Sequence, residues 1–308
     1  MRIKFFPCLS VLILLSGCFT GVENTGRITE KDVAKVKADK KTEEEMFLDS
    51  VSPADFIHWR KGKGFYVNDD NIKLIFNASS QYDVDKLQLK GDTLLYEGYK
   101  FAKQIDNTED VVMSFSDGAN KYYYNTGKSI QEVESQKSDY VVPFLIDLDF
   151  VAKVDSMISG KTLFIKTALW LDSDRKPISG MKYVPVKILS VHPGDIVYPF
   201  LVYFEYEGKT SAIYMSSQSS AIRNMAFDKL FSFIDIRKKY PTVSDINWEK
   251  ITKSEIAIAM TKDECSLALG APRSIERAAT HGGLYERWSY DNGVYLIFEN
   301  GILSQYRQ

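Results

Sequence analysis

Turn-forming triplets recur at short spacing between Val51 and about Ser220: Asp69-Asp70-Asn71, Lys90-Gly91-Asp92, Ser116-Asp117-Gly118, Asp172-Ser173-Asp174, Pro193-Gly194-Asp195 and Tyr206-Glu207-Gly208. The residues between them are rich in aromatic and β-branched side chains, and that punctuation belongs to small antiparallel β units. Two stretches look alike. Gly91-Asp92-Thr93-Leu94-Leu95 leads to Met113 through Gly118 and then to Tyr122-Tyr123-Tyr124. Gly160-Lys161-Thr162-Leu163-Phe164 leads to Tyr203 through Gly208 and then to Ala212-Ile213-Tyr214. An opening strand followed by an acidic-glycine hairpin in each predicts a duplicated small β-barrel of SH3-like size, with a single sandwich as the other arrangement.

Downstream the signals change. Ala221 to Tyr240 reads as a helical stretch with Ile222, Met225, Leu230, Phe231 and Phe233 on its buried side, stopped by Pro241. Thr261-x-x-Glu264 is a capping box, so a helix starts there; Gly270 caps its end and Pro272 prevents continuation. Leu284–Tyr290, Val294–Phe298 and Ile302–Tyr306 are then separated by Asp291-Asn292-Gly293 and Asn300-Gly301, strong hairpin signals. The expected fold is α+β and mostly β: one or two small antiparallel β-barrel (SH3-like) or sandwich units, then a C-terminal helix with a three-stranded antiparallel meander.

The N-terminus carries Arg2 and Lys4 ahead of an apolar run, Phe5 to Leu15. About 11 residues are too few for a bilayer span, which needs about 20, and fit a signal peptide. Leu15-Ser16-Gly17-Cys18 resembles the bacterial lipobox, which implies cleavage before Cys18 and acylation of that cysteine. Phe19 to about Ser50 is polar and mixed in charge and reads as a solvated tether. The expected organisation is signal peptide 1–17, lipidated N-terminus and tether 18–50, β-rich units 51–140 and 141–220, helical linker 221–245, and C-terminal unit 246–308.

A net charge of −2 with no basic face excludes general attraction to nucleic acid. Past the leader and Cys18, Cys265 is the sole thiol, so no intramolecular disulfide can form and stability must come from burial. His58, His192 and His281 lie far apart and show no metal-ligand spacing, and no nucleophile elbow, Ser-x-x-Lys or Walker loop occurs. Cys265 falls on the apolar side of a capped helix, where a thiol behaves as a small hydrophobe. Asp147-x-Asp149 and Asp172-x-Asp174 are candidate carboxylate pairs, facing solvent and short of the oxygen ligands calcium prefers. Trp170, Trp248 and Trp288, with Tyr198, Tyr203, Tyr206 and Tyr214, admit a glycan-stacking role, although aromatics at strand spacing more often pack in cores. Alternation puts Tyr122 and Tyr124 on one face and Tyr123 on the other.

Met260-Thr261-x-x-Glu264-Cys265, Leu269-Gly270-x-Pro272, Glu286-x-Trp288-x-Tyr290 and Phe298-Glu299-Asn300-Gly301 resemble the SmpA/OmlA (BamE) type of small outer-membrane lipoprotein domain. The chain departs at Ala259, where that family usually has glycine. The resemblance covers roughly residues 246 to 308. The longer chain is similar overall to uncharacterised envelope lipoproteins of Gram-negative anaerobes. The resemblance implies binding rather than catalysis. The expectation is a non-enzymatic outer-membrane lipoprotein, facing the periplasm and lipid-anchored through Cys18, that acts as an interaction or scaffold module in outer-membrane assembly or maintenance. It needs no cofactor or metal, and its partner is an envelope protein, or alternatively peptidoglycan or another glycan. The candidate contact residues are Tyr122, Tyr123, Tyr124, Tyr285 and Arg287.

Overall fold

The computed structural model describes residues 41–77, 83–105, 108–136, 142–217, 225–280, 283–291 and 293–307. The signal peptide, Cys18, most of the expected tether, Ile222 and His281 lie outside the described residues.

Strands β1 (Gly64–Val67), β2 (Thr93–Lys103), β3 (Glu109–Ser116), β4 (Lys121–Asn125) and β5 (Leu145–Asp147) make an antiparallel sheet in the order β4-β3-β2-β1-β5. Its apolar face, with Phe65, Val67, Leu94, Met113, Phe115 and Tyr122, is closed by Ile72 from a 3-10 turn and by Val133. A second sheet holds β6 (Thr162–Ile165), β7 (Leu169–Leu171), β8 (Pro177–Ser179), β9 (Val184–Pro193), β10 (Phe200–Tyr206), β11 (Lys209–Met215) and β12 (Phe231–Ser232). The order there is β12-β6-β9-β10-β11-β7-β8.

The helices explain how the second sheet is covered. In chain order they are α1 (Glu43–Ser50), α2 (Ile130–Ser135), α3 (Leu148–Ile158), α4 (Phe227–Leu230), α5 (Asp245–Thr252) and α6 (Lys262–Leu269). Helix α3 has its buried residues, Phe150, Val151, Val154 and Ile158, at helical spacing, and they pack on Ile188, Val191, Phe200, Val202 and Phe204 of the sheet. Full burial of each such side chain contributes about 1.5–3 kcal/mol.

The mostly β fold class holds, with three corrections. Neither large sheet closes into a barrel: each has two distinct edge strands, β4 and β5 in one and β12 and β8 in the other. The duplication also dissolves. β2, β3 and β4 are consecutive neighbours, whereas β6 is separated from the β10–β11 hairpin by β9. Similar local turns therefore sit in different strand orders.

The third correction concerns the segments read as tether and linker. Residues 42–50 are a docked helix: Thr42 Oγ1 accepts from the Glu45 amide at 3.1 Å, and Glu45 Oε2 accepts from the Thr42 amide at 2.9 Å. Phe47 is buried with its ring 4.0 Å from that of Phe227, and Glu44 Oε1 accepts from Ser232 Oγ at 2.8 Å. Among the described residues of 221–240 there are one α-helical turn, α4, strand β12 against β6, and a 3-10 turn at Ile236–Lys239. Phe227, Leu230 and Phe231 are all buried, so the apolar pattern serves a turn and a strand edge rather than a continuous helix.

The C-terminal unit follows its sequence closely. Thr261 and Glu264 form the capping box, and Gly270 ends α6 at φ 84°. A four-stranded antiparallel sheet follows: β13 (Ser274–Thr280), β14 (Gly283–Ser289), β15 (Tyr295–Glu299) and β16 (Ile302–Arg307), in that order. The expected three-stranded meander thus gains a strand, β13. Asn300 and Gly301 take positive φ values, 50° and 83°, in the two-residue turn joining β15 to β16, as a type I′ hairpin requires. Cys265 is buried in this core, and burial pushes its thiol up to about 12.

Ala259 stands where the backbone suits glycine. It is exposed and sits at φ 71°, a left-handed conformation that costs a residue with a Cβ about 1–2 kcal/mol. Ala259→Gly removes no packing, and relief of strain exceeds the added flexibility of the unfolded chain, about 0.4–1 kcal/mol. Urea denaturation is expected to show a raised midpoint; a lowered one counts against strain at this position.

The C-terminal unit is joined to the second sheet through Lys182, a buried lysine just before β9. Its ammonium donates to the Ala268 carbonyl in the last turn of α6, and its amide donates to the Thr252 carbonyl at 2.9 Å. Burial pushes the amine down to about 8. The unfolded chain, with an ordinary lysine pKa, holds this proton to higher pH than the folded one. Stability from this group is therefore lowest below about pH 8 and rises between about 8 and 10. Urea unfolding of wild type and Lys182→Met at pH 7 and 9.5 is expected to differ by roughly 2 kcal/mol more in favour of wild type at the higher pH. A pH-independent difference counts against the buried ammonium.

Candidate functional site: the open face of the C-terminal sheet

Side-chain alternation divides the C-terminal sheet into two unlike faces. The inner face carries Trp288, Leu296, Phe298 and Leu303, packed on Ile251, Met260, Cys265 and Ala268. Glu286 is also on this side and nearly inaccessible. Its carboxylate accepts from Lys262 Nζ at 3.0 Å and Trp288 Nε1 at 3.2 Å, and Arg277 Nε lies 3.4 Å away. The bond from the Lys262 ammonium, helped by the other two groups, holds its pKa below the ordinary glutamate range.

The outer face carries Glu276 and Ala278 on β13, Tyr285 and Arg287 on β14, and Tyr295 and Ile297 on β15. Glu276, Arg287 and Ile297 lie in one cross-strand row, with Ala278 beside Tyr285 in the next. These residues and Arg277 line an open concavity of about 630 Å³. The Arg287 guanidinium sits 5.2 Å from the centre of the Tyr295 ring, a cation–π contact that holds the side chain across the face. A row of aromatic, aliphatic and guanidinium groups on a rigid sheet suits contact with another molecule: it offers apolar area at small entropic cost and a directional cation.

Tyr285 and Arg287, read from sequence as contact residues, therefore come together on one surface, and Tyr295 and Ile297 join them through strand pairing. The tyrosine run on β4 behaves differently. Tyr122 is only 1% exposed, with its hydroxyl donating to Asp117 Oδ2 at 2.6 Å, and it belongs to the core rather than to a contact surface. Tyr124 packs against the same core. Tyr123 alone points to the other face, where Lys100 Nζ lies 4.7 Å from its ring centre. The alternation was legible in sequence; which face the rest of the chain covers was not.

The carboxylate pairs resolve into structural roles. Asp147 caps α3, its Oδ1 accepting from the amides of Asp149 at 3.0 Å and Phe150 at 3.2 Å. The ammonium of buried Lys63 sits 2.7 Å from Asp147 Oδ1 and 2.7 Å from Asp149 Oδ2, taking the place a bound cation would occupy. Asp172 shapes the β7–β8 turn by accepting from the amides of Asp174 and Lys176, both at 2.9 Å. Among the described residues no group of three or more His, Cys, Asp or Glu side chains converges. Trp170 and Trp288 are buried, and Trp248 lies between Tyr183, Tyr240 and Arg237, so their faces are occupied by protein neighbours.

No family model matches the sequence, no curated protein matches it, and no solved structure matches the fold.

Glu286→Gln is expected to lower stability at pH 7 by about 1–3 kcal/mol, the range for losing a charged partner from a buried hydrogen-bonded group. Because the folded pKa is depressed, this contribution is present above the ordinary glutamate range and fades as pH falls through the folded value. Chemical denaturation of both proteins in steps from pH 7 to pH 3 checks this, and a loss that does not shrink as pH falls below the ordinary glutamate range refutes it.

Proposed function

We propose that the protein is a lipid-anchored, non-catalytic module of the bacterial envelope that presents the outer face of its C-terminal sheet to another envelope protein. The observation carrying this reading is the contrast between the two faces: one is packed on α5 and α6, the other offers Tyr285, Arg287, Tyr295 and Ile297 around an open concavity. Tyrosine and arginine are enriched where protein interfaces concentrate their binding energy. The lipobox-like Leu15-Ser16-Gly17-Cys18 supports anchoring through Cys18, and the absence of an acidic run after it favours the periplasmic side of the outer membrane. The residues resembling the SmpA/OmlA (BamE) type supply the capping box, the Asn-Gly turn and the buried Glu286 and Trp288 of this same unit, which supports a binding role in outer-membrane assembly or maintenance.

Photo-reactive residues placed at Tyr285, and at Tyr123 for comparison, test the reading in cells. Discrete cross-links from Tyr285 to a membrane protein, lost in Cys18→Ala, are the expected result. Cross-links confined to wall glycan transfer the function to peptidoglycan binding, and cross-links unaffected by Cys18→Ala refute lipid anchoring.

A further inference from the structure

The strand that the sequence pattern did not reveal, β13, is a bare sheet edge. Its residues run in unbroken register with β14, from Ser274 opposite Ser289 to Thr280 opposite Gly283. Among the described residues nothing pairs along its other side, and Arg273 to Ala279 are all exposed. Edges are ordinarily protected by charged side chains, proline, a bulge, a short strand or a covering element. Among the described residues β13 has only the charges, Glu276 on one face and Arg277 on the other, which repel strands of the wrong charge order and leave the edge open to a complementary one. It also borders the concavity: Glu276, Arg277 and Ala278 line it together with Tyr285 and Arg287. The methyl group of Ala278, directly opposite Tyr285, leaves that ring approachable from the edge.

We propose that an extended segment of a partner protein adds to the sheet along β13 in antiparallel pairing, and that the segment carries an aromatic, an acidic and a basic residue in succession. This deepens the interaction function proposed above and rests on it. Main-chain bonds along a free edge supply affinity, and alternate side chains supply specificity. Residues directly opposite one another share a face at about 5 Å. The position opposite Ala278 has room for an aromatic ring that reaches Tyr285. The position opposite Arg277, 63% exposed at its side chain, calls for a carboxylate, and the position opposite Glu276 calls for a cation. Ile275 and Ala279 call for aliphatic flanks.

Charge favours a partner segment, which can supply two opposite-charge pairs, over a second copy, which can supply none. An antiparallel pair related by a two-fold axis keeps each face continuous, so a residue meets only residues of its own parity. No such register sets Glu276 against Arg277, and the one centred on Arg277 opposes two guanidinium groups.

The test uses the full chain and a fluorescein-labelled heptapeptide, Thr-Val-Phe-Glu-Lys-Val-Thr, blocked at its C-terminus. Anisotropy is expected to show saturable binding. The peptide with Glu and Lys exchanged should bind about tenfold more weakly, from two reversed cross-strand pairs. Versions N-methylated on alternate residues, in either phase, should include one that does not bind, and the unmodified peptide should slow hydrogen exchange at β13 amides. The proposal is overturned by absence of binding, by equal binding of the exchanged peptide, by binding of both N-methylated forms, or by β13 protection that grows with protein concentration alone. Cross-links from Tyr285 in cells without heptapeptide binding refute strand addition while leaving the interaction module; heptapeptide binding without such cross-links does the reverse.

Discussion

The placement of the C-terminal unit depends on one buried ammonium at the end of a helix. The last carbonyls of α6 carry the negative end of its dipole, and Lys182 reaches them from the second sheet, donating to Ala268. The next residue adds to the joint: the Tyr183 hydroxyl donates to the Leu267 carbonyl at 3.3 Å, and its ring lies 5.7 Å from that of Trp248 on α5. Tyr183 pays with a left-handed backbone, φ 60°, which a bulky side chain rarely adopts. A strained tyrosine and a desolvated lysine persist together because both helix ends, at Thr252 and at Ala268, converge on these two residues. The helices in turn carry the inner face of the last sheet, tied to each other by Asn247 Nδ2 donating to Glu264 Oε1 at 2.8 Å.

Features decided within a few residues were legible in the sequence. Asn300-Gly301 makes a hairpin because Asn and Gly both tolerate positive φ, Gly208 closes the Glu207-Gly208 turn with Glu207 in a costlier left-handed conformation, and Thr261 with Glu264 caps a helix within its own first turn. Tyr285 and Arg287 share a face by simple alternation. What escaped was decided by distant neighbours. Lys63, 84 residues from Asp147, turns a candidate cation site into an ion pair. Helix α1 did carry a local sign in its Thr42–Glu45 capping box, yet its docking depends on Phe227 and Ser232. β13 has charged residues on both faces and two adjacent alanines, since an edge strand satisfies only one neighbour and has little apolar surface to bury. No alternation could announce it.

The proposed contact surface owes its definition to that division between faces. Trp288 and Phe298, with rings 4.7 Å apart, fix β14 and β15 from behind, so the side chains between them are presented on a backbone with little freedom to adjust. Arg277 belongs to both environments: its Nε is near buried Glu286, and its strand forms the open edge. Recognition at the edge and stability of the unit thus share one guanidinium.

The contact between Glu44 and Ser232 joins residues 188 positions apart, across almost the whole of the two large sheets. Closing so long a loop is entropically costly, and contacts of this separation form late. Helix α1 emerges first from the ribosome among the described elements, but Phe47 has no hydrophobic seat until Phe227 and Phe233 have been delivered. Its own capping box offers only eight residues of helix, too short to persist alone in water. Helix α1 is therefore secured near the end of folding, so a chain truncated before residue 227 leaves it without a dock.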